Sequence, residues 1–361
     1  MTRESQGRAV QRKNPSYNIE TVSAVYADAC ERLGKDWDDV ENFSLPQGSN
    51  DGYFILDWLG SGKYSNVFTA YKCKKKSTND SDDFDPTTEA DLVAIKVLRQ
   101  VREEKYRIEA KILQNLKDGP NIIKLLDIIQ NPATMTYNIV TEYVEECDFM
   151  NFFDTMTSQE CCFYLFQLMR AIQYTHSHGI MHRDIKPLNV LYDRSKRKLR
   201  LIDWGLAEFY HPGQRYNIHV ATRYFKPIEL LLDYQFYDYS VDIWSFGVTM
   251  ASMVFKKTPF FKGSTDMDMV SKIVGVLGKD SFNAYLSKYG IPLPEPLQHI
   301  ISRGKPRPWT FFVNPSNQDI ATNEALDLID KCIRFDHTTR ITADEALNHP
   351  YFDSVRHLPS A

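Results

Sequence analysis

The spacing of apolar residues changes partway along the chain, and no other feature limits the fold as strongly. In the first part of the chain they form short, strand-like runs, including residues 53–59, 66–71 and 92–98. From about residue 159 they recur at the spacing of a helix with one buried face. Strands followed by helices predict an α+β protein with a small, mostly β lobe and a larger, mostly helical lobe, separated near residues 142–148. Because ligand sites are common where two such units meet, we expect the site in the cleft between them.

Composition argues against several classes of protein. The 361 residues carry a formal net charge of −4, which gives no general electrostatic case for nucleic-acid binding. The N-terminus is polar, and the most apolar helix-like run, Ile243–Phe255, is too short to span a bilayer and predicts a core helix. Six cysteines contain no C-x-x-C pair, a pattern typical of neither a zinc site nor a disulfide framework. We therefore expect an intracellular protein of the cytoplasm or nucleus.

A glycine-bearing turn, GSGKYSNV at residues 60–67, joins the first two predicted strands. Glycines let a backbone approach phosphates closely and direct its N–H groups at them. The turn alone is more typical of an ordinary hairpin than of a phosphate-binding loop, since the third glycine of a G-x-G-x-x-G pattern is Ser65 here. It also leads into a strand rather than a helix, which disfavours a dinucleotide-binding site.

A lysine, Lys96, lies inside the apolar strand that contains Val93-Ala94-Ile95. Its ammonium group needs a polar environment, and there are two ways to reach one. Either the side chain extends to the surface, or it pairs with Glu109 on the following predicted helix and holds nucleotide phosphates.

Two further segments, HRDIKPLN at 182–189 and DWG at 203–205, supply the chemistry of phosphoryl transfer. That reaction needs a carboxylate to orient the attacking hydroxyl, oxygen ligands for Mg²⁺, and cations where charge accumulates. The residues that meet these needs, in chain order, are Asp184, Lys186, Asn189 and Asp203.

The sequence resembles the eukaryotic protein kinases from about residue 52 to 352, and within them the catalytic (alpha) subunits of casein kinase II. Trp204 is a narrow marker of that family, because most kinases have phenylalanine there. The stretches that carry the resemblance are GKYS at 62–65, GPNII at 119–123, GIMHRD at 179–184, LRLIDWGLAEFYHPGQ at 199–214, RYFK at 223–226 and YDYS at 237–240.

The resemblance implies a bilobal kinase fold. Its expected parts are a leader at 1–51 that packs on the core, an N-lobe at 52–144, a C-lobe at 145–352 and a short tail at 353–361. It also implies Mg²⁺ as the metal, with Mn²⁺ as an alternative, and ATP as cosubstrate, with GTP as an alternative.

The same resemblance implies roles for individual residues. The catalytic group would be Asp184 as base, Lys186 on the transferring phosphoryl, Lys96 on the phosphates and Glu109 as its anchor. The ATP-binding residues would be Gly60, Ser61, Gly62, Lys63, Tyr64, Ser65, Val67, Ala94, Lys96, Glu142 and Val144. The metal ligands would be Asn189 and Asp203, and the substrate-binding residues Arg223, Lys226, His219 and Lys105. Two structural elements are also implied, a buried Glu229–Arg340 pair and a brace on the catalytic loop from Asp242.

The implied partners are proteins phosphorylated at Ser or Thr in acidic contexts, with no direct nucleic-acid or membrane contact. A dimer of the casein kinase II regulatory (beta) subunit would dock through Ile55, Phe68 and Val97 on the outer face of the N-lobe. The alternative for these three apolar residues is packing under a loop of the same chain.

Several positions differ from the casein kinase II pattern. The lysine run before Glu109 becomes Arg102-Glu103-Glu104-Lys105, and Ile108 replaces an arginine. A basic position in the substrate loop is His219, and Thr141 replaces a bulky aromatic before the hinge. We therefore expect an acid just after the phosphoacceptor to be favoured, with weaker preference at more distant positions.

Three hypotheses compete: an active serine/threonine kinase, a pseudokinase scaffold and a proline-directed kinase. Presence of Lys96, Asp184 and Asp203 disfavours the pseudokinase. The activation segment, residues 203–229, has no Ser or Thr between Asp203 and Thr222. This disfavours the proline-directed kinase, because such kinases normally have a regulatory threonine in that segment. Activity is therefore expected without loop phosphorylation, with the leader holding the segment open through Tyr26 and Trp37.

Overall fold

A five-stranded antiparallel sheet forms most of the N-lobe. The computed structural model describes residues 20–45, 48, 50–62, 65–73, 90–99, 102–131, 136–145, 149–293, 297 and 305–359. The strands are β1 (Tyr53–Ser61), β2 (Ser65–Cys73), β3 (Ala90–Leu98), β4 (Leu125–Gln130) and β5 (Tyr137–Glu142), in the order β1-β2-β3-β5-β4. Residues 74–89, between β2 and β3, lie outside the described residues.

Two helices accompany this sheet, α1 (Ala29–Leu33) in the leader and α2 (Glu103–Asn115) after β3. Helix α2 buries Glu109, Ala110, Ile112 and Leu113 and exposes the acids of its first turn. The register of β3 on β2 pairs Lys96 with Val67, which puts the lysine beside the glycine-bearing turn.

The C-lobe is mostly helical. Its helices are α3 (Phe149–Thr155), α4 (Ser158–Ser177), α5 (Ile228–Leu231), α6 (Ser240–Val254), α7 (Asp266–Leu277), α8 (Lys279–Tyr289), α9 (Asn323–Cys332) and α10 (Ala343–Leu347). Two short two-stranded sheets flank the segments at 182–189 and 203–205. They pair β6 (Ile180–Met181) with β9 (Glu208–Phe209), and β7 (Val190–Asp193) with β8 (Lys198–Leu201). These elements confirm the predicted bilobal α+β architecture.

Helices α4 and α6 form the centre of the C-lobe. Helix α4 begins with a capping box, in which Thr157 accepts from the Glu160 N–H while the Glu160 carboxylate accepts from the Thr157 N–H. Helix α6 is buried from Val241 to its end, as predicted for a core helix rather than a membrane span. Among the described helices, none has the length and apolar character needed to cross a membrane.

The described leader packs on the C-lobe beside the activation segment. The ring of Tyr26 lies edge-on to Tyr239 at 6.4 Å, and its hydroxyl donates to Asp344 on α10. The backbone N–H of Ser23 donates to the Tyr210 hydroxyl at 2.8 Å. The leader thus covers a cluster of buried tyrosines beneath the activation segment, Tyr210, Tyr216, Tyr237 and Tyr239.

The leader also joins the two lobes at Trp37. Its indole N–H donates to the carbonyl of His178 at 2.9 Å, after α4 in the C-lobe. The backbone carbonyl of Trp37 accepts from the amide of Asn115, the last residue of α2, at 2.7 Å. One leader residue therefore fixes the end of α2 relative to the C-lobe.

The predicted pair of Glu229 and Arg340 lies fully buried. The guanidinium makes two parallel hydrogen bonds to the carboxylate, at 2.6 and 2.7 Å, and both side chains are 0% exposed. The guanidinium also lies 4.8 Å from the centre of the Trp244 ring on α6. This geometry ties the end of the activation segment to the C-lobe core.

Replacing Glu229 with alanine should lower the free energy of unfolding by about 3–5 kcal/mol, because Arg340 would remain charged and buried without its partner. Urea unfolding measures the change. The matched control is Glu145→Ala, which breaks an exposed pair with Lys196 and should cost less than about 1 kcal/mol. Equal losses in both variants would contradict a special role for the buried pair.

Candidate active site

A cleft of about 570 Å³ lies between the lobes, within the size range of small-ligand sites. It brings together the described members of the predicted ATP site, namely Gly60, Ser61, Gly62, Ser65, Val67, Ala94, Lys96, Glu142 and Val144. Two other predicted members, Lys63 and Tyr64, lie outside the described residues. Glu109, Asn189 and Asp203 line the same cleft.

The ammonium group of Lys96 lies between two carboxylates. Its Nζ is 2.6 Å from Oε1 of Glu109 on α2 and 2.9 Å from Oδ1 of Asp203. Burial alone lowers the pKa of Lys96, but the two carboxylates outweigh this effect and raise the pKa above its ordinary value. Lys96 is thus a fixed cation inside the cleft, and extension to the surface, the alternative considered from the sequence, is wrong.

Asp242, buried on α6, positions the loop that follows β6. Its carboxylate accepts the backbone N–H groups of His182 and Arg183 at 2.8 and 2.7 Å, and it lies 2.9 Å from Nε2 of His176. Burial raises the pKa of Asp242, but these hydrogen bonds and His176 bring it below its ordinary value. The acid therefore stays ionised and holds Arg183 at a φ of 64°, a strained conformation next to Asp184.

Asp184 lies at the centre of a compact hydrogen-bond network. Oδ2 accepts from Lys186 Nζ at 2.6 Å and from Asn189 Nδ2 at 2.9 Å. Oδ1 accepts from the backbone N–H and the hydroxyl of Thr222, at 2.8 and 2.9 Å. Lys186 also donates to the Thr222 hydroxyl at 2.7 Å, so the activation segment helps to hold both charged groups.

Asn189 and Asp203 offer oxygen atoms suited to a hard divalent cation. The side-chain nitrogen of Asn189 donates to Asp184, which leaves the side-chain oxygen Oδ1 available to a cation in the cleft. The Asp203 side chain is 49% exposed, and Lys96 brings its pKa below the ordinary value despite partial burial. An amide oxygen and a carboxylate fit Mg²⁺, which prefers oxygen ligands and retains several waters.

The side chain of Glu142, predicted to bind ATP, is engaged by the C-lobe. Its carboxylate accepts from Lys198 at 2.6 Å and from Arg200 at 2.7 Å, both on β8. Burial raises the pKa of Glu142, but the two cations bring it below the ordinary value. Sequence reasoning missed this clamp because residues 142 and 198–200 are far apart in the chain.

Sequence reasoning also missed most of the apolar lining of the cleft. This lining consists of Leu59, Leu113, Ile123, Ile139, Leu188, Leu191 and Ile202. Several of these residues lie next to the motifs in the sequence, as Ile202 does before Asp203. That proximity could have identified them as part of the cleft.

A second cavity of about 340 Å³ opens beside Asp184 and contains Lys186, Thr222 and Lys105. Of the predicted substrate-binding residues, only Lys105 lines it. Arg223 donates to the carbonyl of Ser264 at 2.8 Å and lies 3.5 Å from Asp266, while His219 is exposed. Lys226 is half-buried.

Trp204, which follows the predicted metal ligand Asp203, is buried. Its indole N–H donates to the carbonyl of Leu201 at 3.3 Å, and its ring meets His182 edge-on at 4.7 Å. This hydrogen bond holds the start of the activation segment against β8.

A protein-family model for the protein kinase domain matches residues 53–352. The match covers both lobes and the cleft between them. It supports phosphoryl transfer to protein substrates, with ATP as cosubstrate and a divalent metal. The chain therefore belongs to the protein kinase domain family.

Proposed function

We propose that the chain is a serine/threonine kinase of the casein kinase II type, which transfers the γ-phosphate of ATP to Ser or Thr in acidic contexts. The observation that carries the proposal is the Asp184 network, in which Lys186, Asn189 and Thr222 all contact one carboxylate. The resemblance to casein kinase II catalytic subunits supports the finer assignment.

Each group in the cleft has a role in this proposal. Asp184 orients the substrate hydroxyl and accepts its proton, and Lys186 stabilises negative charge on the transferring phosphoryl group. Lys96 holds the nucleotide phosphates, positioned by Glu109. Asn189 and Asp203 would hold Mg²⁺, which would neutralise phosphate charge.

A pseudokinase remains the chief alternative. It is disfavoured because Lys96, Asp184 and Asp203 are each held by the partners that catalysis requires. GTP and Mn²⁺ stay proposals as alternative cosubstrate and metal. The resemblance to casein kinase II supports GTP, whereas Thr141, which lines the cleft where the family has a bulky aromatic, weakens that support because the base is held less firmly.

Regulatory-subunit docking is likewise proposed on the outer face of the N-lobe. Ile55 is 54% exposed, and its neighbours Phe54 and Trp58 on β1 are 53% and 62% exposed, so this edge of the sheet presents apolar surface. Phe68 is half-buried, and Val97 packs partly against the sheet's own small core. The apolar edge of β1 is therefore the main support for a partner.

Constitutive activity is supported by the hydroxyl groups of the activation segment. Ahead of Thr222 they are Tyr210 and Tyr216, which are 2% and 3% exposed. Buried phenols are poor phosphoacceptors. The leader contacts through Tyr26 and Trp37 supply apolar packing and hydrogen bonds where other kinases use a phosphate–arginine pair.

Replacing Asp184 with asparagine should lower kcat by about 10²–10⁴-fold, because the general base is lost while the hydrogen-bonding shape is kept. Transfer of radiolabelled phosphate from ATP to acidic, neutral and proline-containing serine peptides measures it. Asp319→Asn, an exposed site, is the matched control and should retain activity. Full activity in Asp184→Asn would refute the catalytic assignment.

Deleting residues 1–45 should lower kinase activity at least about tenfold, which corresponds to 1.36 kcal/mol of lost stabilisation of the active arrangement. Deleting only residues 1–19 keeps Tyr26 and Trp37 and is the control. The same peptide assay compares the two enzymes. If both truncations were as active as the full chain, the proposed role of the leader would be wrong.

Replacing Glu103 and Glu104 with lysine should raise kcat/KM about 3–10-fold for peptides with an acid three residues after the phosphoacceptor. Both acids are exposed at the start of α2, next to Lys105 in the second cavity, and Glu103 also pairs with Arg107 at 2.9 Å. In this proposal their negative charge disfavours acidic peptides. The gain should shrink as salt is added. The control Asp319→Lys with Asp353→Lys makes the same change in net charge; an equal gain there would show that only total charge matters.

A further inference from the structure

Three side chains with metal-binding chemistry meet where the leader crosses the activation segment. They are Cys30 on α1, Asp38 in the leader and His211 in the activation segment. One potential ligand atom from each lies within 4.8 Å of the other two, and Nε2 of His211 is 3.1 Å from Oδ2 of Asp38. None of these residues belongs to the cleft or to the proposed catalytic network.

The three residues are held in place by contacts of their own. The Cys30 sulfur lies 3.6 Å from the carbonyl oxygens of Gly179 and Tyr210, so it is fixed beside the residue that precedes His211. The backbone N–H of His211 donates to the Tyr216 hydroxyl. Asp38 follows Trp37, whose indole is anchored on the C-lobe. Because these contacts already order all three residues, metal binding requires little further loss of conformational entropy.

One sulfur, one imidazole nitrogen and one carboxylate oxygen form a donor set typical of zinc. Zinc bonds of about 2.0–2.3 Å place tetrahedral ligand atoms about 3.5 Å apart, so the group must close by about 1 Å. Asp38 and His211, with side chains 26% and 41% exposed, have room to move by this amount. Their exposed side leaves a fourth position for water.

We propose that Cys30, Asp38 and His211 bind one zinc ion, which links the leader to the activation segment. This site is separate from the Mg²⁺ site, whose ligands are oxygen atoms alone, and it does not depend on the proposed kinase activity. On binding, the Cys30 S–H bond breaks, its proton passes to solvent and a sulfur–zinc bond forms, with no change in oxidation state.

An ordinary ion pair between Asp38 and His211 is the competing explanation. It predicts no metal binding.

Titration of the chelator-stripped full chain with Co²⁺ tests the proposal, without ATP or Mg²⁺. We expect one equivalent to give a thiolate-to-cobalt absorption band in the near ultraviolet, which Zn²⁺ then abolishes. Cys30→Ser should lack this band, and His211→Gln should weaken binding at least about tenfold. Cys73→Ser, in the N-lobe, and His357→Gln, in the C-terminal tail, are the controls and should behave as the unaltered chain does.

Thermal unfolding gives a second measurement. Zn²⁺ at about 100 times its dissociation constant should raise the Tm of the unaltered chain by about 3 °C, and should raise that of the two site variants far less. Circular dichroism checks that Cys30→Ser is folded; if it is not, His211→Gln, with its half-exposed ring, decides the matter. Absence of stoichiometric binding, or a band and Tm shift that survive in the site variants, would overturn the proposal.

Discussion

The contact of Lys96 with Glu109 and Asp203 is the interaction on which the working arrangement of this molecule depends. It joins three separate elements, since the lysine lies on β3, the glutamate on α2 and the aspartate at the start of the activation segment. One ammonium group between two carboxylates in a partly buried cleft strongly favours a single arrangement. A charged group that lost its partner there would stay partly desolvated. Rotation of α2 or displacement of Asp203 would separate these groups.

Sequence reasoning identified the polar residues that meet in and beside the cleft better than it identified their surroundings. Lys96, Asp184, Asn189 and Asp203 were identifiable because phosphoryl transfer restricts which residue types stand at those spacings. The two-lobed fold was predictable because the apolar period changes along the chain.

Contacts between distant segments were not predictable in the same way. The clamp on Glu142 depends on Lys198 and Arg200, and nothing local in the hinge sequence indicates which cations will reach it. Arg223 shows the same limit, since its contact with the Ser264 carbonyl follows from where α7 packs. Charge and residue type predict that a partner is needed, whereas tertiary packing determines which one is used.

The leader has a further consequence because it is part of the same chain as the surface it covers. Tyr26 and Trp37 act as an intramolecular ligand, so their binding depends on the length of the connecting chain and not on protein concentration. A short flexible connection commonly corresponds to a local concentration in the millimolar range. A competitor for the same aromatic surface must therefore overcome millimolar competition from the tethered leader, which makes this face resistant to weak, transient binders.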